Sequence, residues 1–261
     1  MTVNARPTPR EEREGPPARR FVRCQDCPLR AQQMFRPFSD GELEFVSGLK
    51  SDQLTFDPRQ PILHAGGNGE QAYTLLEGWA FRHRTLPDGR RQILDFLLPG
   101  DLMGLQTPLL GELSHGVQAL TAVVVCAHAG APFATMGAIQ PALSAALMQT
   151  LVLEEARADR RQVLLGRQRP VERLAYLMLE LHDRLAQRGQ AAGGACDFPL
   201  TYEHLADALG LSRAQLARSL AEVRARGWAD VRGGRLRLLA PDAMAAFAAY
   251  EPPSRVLRAL L

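Results

Sequence analysis

The sequence predicts an α+β fold with an N-terminal β-roll, one long helix and a C-terminal winged helix-turn-helix. Three observations lead to this prediction. Short apolar runs separated by turn residues occupy about 54–133, helical periodicity starts near Ile139, and two capped helices followed by a glycine-centred hairpin occupy 201–239. The predicted divisions are a tail at 1–37, the roll at 38–136, the long helix at 137–168 and the helix-turn-helix domain at 169–261.

Length and composition fit a globular protein of about two domains. The chain has 261 residues, of which 46% are hydrophobic and 23% charged, and these proportions exclude fibrous and wholly disordered classes. The formal net charge is only +3, and Lys50 is the single lysine among 31 basic residues. So small a surplus of positive charge does not by itself indicate a polyanionic partner. Evidence for such a partner must come from the positions of the arginines.

The sequence predicts a cytoplasmic protein without a membrane span. Four cysteines in a chain of this length do not form a disulfide framework, and the N-terminus has no apolar secretory segment. No Asp, Glu, Lys or Arg lies between Glu112 and Glu154, a stretch long enough to cross a bilayer. Because Pro132, Pro141 and several polar residues interrupt it, we expect a buried strand followed by a buried helix.

The N-terminal part contains three distinct segments. Residues 1–20 are rich in Arg, Glu and Pro and are predicted to be disordered. Cys24 and Cys27 then form a Cys-x-x-Cys pair. A short helix is predicted to begin at Ser39, because Ser39 and Glu42 have the spacing of a capping box. The short, turn-bounded apolar runs that follow are typical of a small barrel or roll.

The long helix is predicted from Leu143, Leu147 and Leu151, which recur every four residues. At about 28 residues it would be about 42 Å long, well above the mean for a globular protein. An apolar first half and a charged second half suit packing against a second copy of the chain. An ordinary core helix is an equally open interpretation. The next helix is predicted to run from Pro170 to near Gly189, followed by a loop over 191–195.

The segment after residue 200 has the signals of two crossed helices and a hairpin. Thr201 can cap a short helix, and Gly210 provides the positive φ that the turn requires. Ser212 and Gln215 form a capping box for the second helix, at about 212–226. A glycine pair then joins two short strands, which predicts a wing.

The second of these helices carries the candidate contacts to a nucleic acid: Ser212, Arg213, Gln215 and Arg218. Arg213 lies in the first turn, where a recognition helix presents side chains to base edges, and Arg218 flanks that surface. An arginine can contact guanine O6 and N7 with two hydrogen bonds. Residues 202–237 contain seven arginines and four acidic residues, so the net charge of this segment equals the +3 of the whole chain. A solvated, charged helix pair is the alternative.

The order of these elements and several local motifs resemble the CRP/FNR superfamily of bacterial transcription regulators, in its FNR/FixK-like branch. The motifs lie at Gly78, 87–96, 99–105, Leu211, Ser212, Arg213 and Arg218. The resemblance implies a cyclic-nucleotide-binding-like jelly roll, a homodimer on a palindromic operator in double-stranded DNA, and contact with RNA polymerase. Ala214 departs from the pattern, because many members have a base-reading Glu there and Ala cannot accept from a cytosine amine.

The motif that holds a cyclic phosphate in cyclic-AMP-binding members is incomplete here. Those members hold the phosphate with a Gly-Glu-Leu motif and with an Arg-Ser pair later in the chain. In this chain Leu105 follows Gly104, and 114–119 contain no Arg. A buried phosphate without its arginine loses the pairing that offsets desolvation, so we expect no cyclic nucleotide.

The oxygen-sensing branch of the family suggests a role for Cys24, Cys27 and Cys126, the last of which is predicted to end a strand. The resemblance makes them candidate ligands of an iron–sulfur cluster. That branch has a further cysteine near the N-terminus, and Gln33 occupies its position in this chain. A four-iron cluster held only by thiolates needs four ligands, and this alignment gives three. A cluster, a reversible disulfide and no cofactor at all remain open. Cys196, predicted in a loop, matches no family position.

Two other functional classes compete with a DNA-binding regulator that responds to oxygen or redox state. A β-roll protein that binds a metal or small ligand, with an accessory helical domain, would need converging His and carboxylate ligands. Only scattered histidines occur near the strands: His64, His83, His115 and His128. We therefore expect no enzyme, and histidines at the surface or in the core rather than on a haem. A dimerising module that does not bind DNA is the third class.

Overall fold

The computed structural model describes residues 21–252 and 256–261. The first 20 residues, for which the sequence predicts disorder, lie outside the described residues. Along the described chain a β-roll is followed by helices, a helix-turn-helix with its own small sheet, and a C-terminal segment that returns to the N-terminal part. This is the α+β architecture that the sequence predicts.

The segment before the roll is held by local contacts. Two short 3-10 turns, Cys24–Asp26 and Pro28–Ala31, precede helix α1 (Asp40–Leu49). The predicted capping box is confirmed, because the Glu42 amide donates to the Ser39 hydroxyl and the Ser39 amide donates to the Glu42 carboxylate. Arg36 hydrogen-bonds to the same carboxylate at 2.6 Å and lowers the pKa of Glu42 to about 2.

The roll consists of two four-stranded antiparallel sheets. Its elements are β1 (Lys50–Phe56), β2 (Pro61–Leu63), β3 (Gln71–Glu77), β4 (Ala80–Thr85), β5 (Arg91–Leu97), β6 (Leu102–Met103), helix α2 (Gln106–Leu110), β7 (Gly116–Ala119) and β8 (Val123–Ala129). The strand orders are β1-β8-β3-β6 and β2-β7-β4-β5. Leu75, Leu97 and Val125 come from both sheets and form the apolar core between them.

The stretch without charged residues folds as the sequence predicts. Strands β7 and β8 are followed by helix α3 (Ala131–Ile139) and by the first half of helix α4 (Pro141–Arg167). Every residue of β8 except the last is buried. Within the described part of the chain, no helix is long and apolar enough to cross a membrane.

Helix α4 has 27 residues and is about 40 Å long. The predicted leucine repeat does not stay on one face: Leu143 is buried, Leu147 is half-buried and Leu151 is exposed. Steps of four residues exceed the 3.6 residues of one turn, so the repeat winds around the helix. The face opposite the roll exposes the apolar side chains of Met148, Val152 and Val163.

The C-terminal part begins with α5 (Pro170–Gln187), whose apolar stripe, which includes Leu174, Leu177 and Leu181, is buried. The further helices are α6 (Tyr202–Leu209), α7 (Arg213–Ala225) and α8 (Pro241–Ala248). The strands are β9 (Ala191–Ala192), β10 (Ala195–Asp197), β11 (Ala229–Arg232) and β12 (Arg235–Leu238), in the order β11-β12-β10-β9.

The predicted loop over 191–195 is wrong. The segment is a tight hairpin, because Gly193 and Gly194 take φ of +56° and +74°, as a two-residue turn requires. Its second strand pairs with β12, so the wing is half of a four-stranded sheet and Cys196 is buried in a strand. These strands are only two and three residues long and rich in Ala, so they give no alternating apolar pattern.

Gly78 turns the chain between β3 and β4 at a point where no side chain fits. Its φ is +85°, and a Cβ added there would lie 2.2 Å from the Ala122 carbonyl oxygen. Gly89, between β4 and β5, has nearly the same φ of +86° but faces open space. Substitution of Gly89 therefore introduces backbone strain alone, whereas substitution of Gly78 introduces both backbone strain and a steric clash.

We expect Gly78→Ala to lower the free energy of unfolding by about 3 kcal/mol or more, because strain and overpacking act together. Gly89→Ala, the matched control, should lose only about 1 kcal/mol, from backbone strain alone. Urea-induced unfolding of both variants and the parent protein measures the difference. Equal losses would contradict the clash.

Candidate functional site

The exposed face of α7 combines two arginines with a row of alanines. The helix packs inwards through Leu216, Ser219 and Val223. Arg213 and Arg218 are exposed, and at about 100° per residue they lie about 140° apart around the helix axis. The arc between them is occupied by the exposed side chains of Ala214, Ala217 and Ala221. The result is a smooth surface bounded by two guanidinium groups.

Ser212 and Gln215, the other two candidate contacts, bond to each other. The Ser212 amide and hydroxyl donate to Gln215 Oε1 at 2.9 and 3.0 Å, and the Gln215 amide donates to the Ser212 hydroxyl at 3.3 Å. The predicted capping box is thereby confirmed. Both side chains are engaged in starting the helix, whereas Arg213 and Arg218 form no ion pair within the described residues.

The turn between α6 and α7 and the wing beside them follow from local chemistry. The His204 amide donates to the Thr201 hydroxyl at the start of α6, and Gly210 ends that helix with a φ of +61°. In the β11–β12 hairpin, Gly233 and Gly234 take φ of +56° and +73°. The wing exposes the side chains of three arginines: Arg232, Arg235 and Arg237.

Helix α6 is docked on the roll by polar contacts. Arg91 of β5 lies 2.8 Å from Asp207 and 3.5 Å from Glu203. The neighbouring Gln92 side chain donates to the Ala208 carbonyl at 3.2 Å. The helix-turn-helix thus has one defined position against the roll, and these contacts must break before it can rotate.

Asp95 of β5 gathers arginines from three other elements. It is 1% exposed and lies 3.0 Å from Arg82, 2.6 Å from Arg157, 2.7 Å from Arg161 and 3.2 Å from Arg184. Burial would raise the pKa of Asp95, but the four guanidinium groups outweigh it and hold the pKa well below its ordinary range. The buried carboxylate is therefore ionised.

Asp101, between β5 and β6, is a second centre of the same kind. It lies 2.7 Å from Arg184 of α5 and from Arg188, which caps the C-terminal end of α5, and 2.8 Å from Arg258. Burial opposes its ionisation, but these neighbours hold the pKa of Asp101 far below its usual value. Arg258 lies in the C-terminal segment, which also pairs with Phe35. The roll, α4, α5 and the C-terminal segment are thus joined by one buried ionic network.

Sequence reasoning missed this network, because arginines on a helix usually indicate a solvated face. One signal was present. Arg184 and Arg188 continue, at nearly helical spacing, the stripe of Leu177 and Leu181 on α5. Charged side chains at positions that the apolar stripe would occupy indicate buried partners of opposite charge.

Three cysteines lie on the same side of the roll. Cys24 and Cys27 are half-buried, and Cys126 is buried in the middle of β8, so the prediction that it ends a strand is wrong. Burial raises the pKa of Cys126, and the nearby Cys27 and Cys24 raise it further, whereas Lys50 opposes them through a hydrogen bond. Burial also raises the pKa of Cys27. Cys196 is remote from this group, in β10.

The described residues contain no group of three or more His, Cys, Asp or Glu side chains arranged to hold a metal ion. Gln33, which occupies the position of a fourth family cysteine, is exposed. His64 is exposed as well, and burial lowers the pKa of His115 and of His128 to about 4. His128 Nε2 lies 3.0 Å from the Thr74 hydroxyl, so it has a partner within the core.

A cavity of about 370 Å³ lies between the roll and helices α4, α5 and α6. Its polar lining includes Arg82, Gln106 and His115 of the roll, and Arg161 of α4. It is large enough for a small organic molecule. Any occupant would contact the roll and the first helix of the helix-turn-helix together.

Comparisons with known proteins match both halves of the chain. The family profile of the Crp-like helix-turn-helix domain matches 172–247, and that of the cyclic nucleotide-binding domain matches 53–138. The nitrogen fixation regulation protein FixK of Bradyrhizobium diazoefficiens is 31% identical over 87% of this chain and 94% of that protein. The transcriptional activator protein FnrL of Cereibacter sphaeroides is 29% identical over 82% and 86%.

A solved structure has the same fold. FixK2 from Bradyrhizobium japonicum superposes with a TM-score of 0.68 at 23% identity, over 78% of this chain and 98% of that one. The fumarate and nitrate reduction regulatory protein of Escherichia coli is 27% identical over 88% of this chain and 91% of its own length.

Proposed function

The chain belongs to the CRP/FNR family of DNA-binding transcription regulators, in its FNR/FixK-type branch, and we propose that it acts as a homodimer whose two α7 helices bind a palindromic operator. The family contains regulators, so the chain is not an enzyme. The observation that carries the proposal is the exposed face of α7, with Arg213 and Arg218 at its borders. Such a face fits the major groove.

The proposed division of labour follows the predicted boundaries. Residues 38–136 form the sensor roll, 137–168 the dimerisation helix and 169–261 the DNA-binding domain, with the Cys-x-x-Cys segment in 1–37. The resemblance adds RNA polymerase as a partner and the cytoplasm as the place of action. Within α7, Arg213 reads a base and Arg218 contacts the neighbouring backbone, while Ser212 and Gln215 set the helix start that orients Arg213.

We expect Arg213→Ala to weaken operator binding by about 1–3 kcal/mol and to relax the preference at one base pair of each half-site. Gel shifts with an operator selected from random duplexes, and with its single-base variants, measure both effects. Arg90→Ala is the control, because Arg90 is exposed in the roll and pairs only with Asp88 among the described residues. An equal loss on every sequence would indicate a phosphate contact instead.

The dimer interface of the proposal is the apolar face of α4 that no described residue covers. Met148 is 64% exposed, Val152 55% and Val163 59%, all on the side opposite the roll. Apolar side chains at this helical spacing are buried when two parallel copies of a helix pack together. Two joined subunits would also place their α7 helices to read both halves of a palindrome.

Met148→Glu should shift the protein from dimer to monomer, because two carboxylates would be buried opposite each other. Leu110→Glu is the matched control, since Leu110 is 76% exposed but lies in α2, away from α4. Sedimentation of the parent and both variants at several concentrations gives the result. A parent protein that stays monomeric with and without operator DNA would end the proposal.

The thiols do not fit an all-cysteine four-iron cluster. Such a cluster needs four thiolates, whereas three cysteines lie near one another and Gln33 replaces the fourth. Burial also raises the pKa of Cys27 and Cys126, which disfavours the thiolate that binds iron. The proposed redox response therefore rests on Cys24 and Cys27, which are three residues apart, with Arg30 Nε donating to the Cys24 carbonyl oxygen at 2.8 Å.

Oxidation by a peroxide would join Cys24 and Cys27 in a disulfide, with two electrons and two protons passing to the peroxide, so that hydrogen peroxide gives two water molecules and an organic peroxide gives an alcohol and one water. We expect anaerobically purified protein to be colourless and free of iron, and peroxide to produce this disulfide, found by mass spectrometry of the peptide. Cys126→Ser should leave it unchanged. A brown protein whose iron is lost in Cys24→Ser would contradict the thiol mechanism.

A further inference from the structure

A small cavity of about 80 Å³ lies where α4, α5 and the C-terminal segment meet, on the side of α4 away from the larger cavity. We call it the junction cavity. Five arginines line it, against the carboxylates of Glu154 and Glu180: Arg157, Arg160, Arg184, Arg188 and Arg258. Two helices and the returning C-terminal segment therefore direct guanidinium groups towards one space.

The carboxylates around this space do not balance its arginines. Beneath the lining, Asp95 and Asp101 pair with Arg157, Arg184, Arg188 and Arg258. Arg82 and Arg161 share Asp95 as well. Seven arginines, with Arg160 included, thus stand against four carboxylates: Asp95, Asp101, Glu154 and Glu180. Arg160 forms no ion pair with any described residue.

Arg184 of α5 and Arg188, which caps that helix, indicate an excess of positive charge around the junction cavity. The Arg184 side chain is 5% exposed, and its Nε has no hydrogen-bond partner in the described part of the chain. The Arg188 side chain is 1% exposed, and burial lowers its pKa to about 9, because Asp101 attracts it too weakly to offset the burial and the repulsion from Arg184 and Arg258. A buried cation in this condition is stabilised by an anion.

We propose that the junction cavity binds one small inorganic oxyanion of the phosphate or sulfate class. The planar guanidinium group matches the oxygens of such an ion with paired, charge-assisted hydrogen bonds. A volume of about 80 Å³ is well below the ~300–1,000 Å³ of pockets for organic ligands, which excludes a nucleotide. The bound ion bridges α4, α5 and Arg258, and so fastens the C-terminal segment to the two helices.

This site is independent of operator binding, because no residue of α7 lines it. The experiment therefore uses the full-length protein without DNA. Thermal unfolding and calorimetric titration are followed with sodium phosphate and, separately, sodium sulfate, each at low millimolar concentration. Sodium chloride at equal ionic strength is the reference, since oxyanions at high concentration stabilise most proteins by exclusion from their surface.

Arg160→Gln is the test variant, because Arg160 is exposed, lines the junction cavity and is outside the ionic network, so the variant is expected to fold. Arg167→Gln is the matched control, exposed on the same helix but away from the cavity. We expect saturable binding in the parent and in Arg167→Gln, and about tenfold weaker binding in Arg160→Gln, as loss of one charge-assisted hydrogen bond implies.

Crystals soaked in sodium selenate locate the ion directly, through anomalous scattering from selenium. A peak among Arg160, Arg184 and Arg258 supports the proposal. A stabilisation equal to that by chloride, an unchanged affinity in Arg160→Gln, or a peak only at the protein surface would each overturn it. Arg213→Ala should bind phosphate with the affinity of the parent protein. A failure of the proposed anion site can therefore be distinguished from a failure of the proposed operator binding.

Discussion

Two carboxylates without access to water determine how the parts of this protein are arranged. An isolated ion at the depth of Asp95 or Asp101 would be very costly, so each needs guanidinium partners. Those partners come from β4, α4, α5 and the C-terminal segment. Loss of either carboxylate would leave buried guanidinium groups uncompensated. The relative positions of the roll and the two long helices are therefore fixed by charge as well as by apolar packing.

The contacts of the helix-turn-helix with the roll are of a different strength. Arg91 is partly exposed where it meets Asp207, so water and salt weaken that pair to about 0–1 kcal/mol. The polar contacts of α6 are thus weaker than the buried ionic contacts of α5, while Leu205 and Leu209 of α6 share an apolar core with the roll. Under the proposed function, a movement of α7 would open these weak polar contacts, while the buried ionic contacts of α5 would keep the domains together.

The sequence predicted best what local chemistry decides. The capping boxes at Ser39 and Ser212, the turn at Gly210 and the wing depend on neighbouring residues only, and all are confirmed. The β9–β10 hairpin was missed because its strands are too short for a pattern, and the place of Cys126 within β8 depends on strand pairing. The ionic network could not be derived, since its partners are up to 157 residues apart. The face of α7 was predicted from spacing, and so was the engagement of Gln215 in the cap, which the hydrogen bonds with Ser212 confirm.

The row of alanines on α7 has a consequence for the kind of DNA sequence that this protein prefers. The side chains of Ala214, Ala217 and Ala221 carry neither hydrogen-bond donors nor acceptors. The centre of the exposed face therefore cannot recognise a base pair through hydrogen bonds. Methyl groups are what remain, and in the major groove their natural counterpart is the C5-methyl of thymine. In the proposed complex, recognition would then combine apolar contacts with thymine at the centre of the helix, a polar contact of Arg213 with a base, and a contact of Arg218 with the DNA backbone.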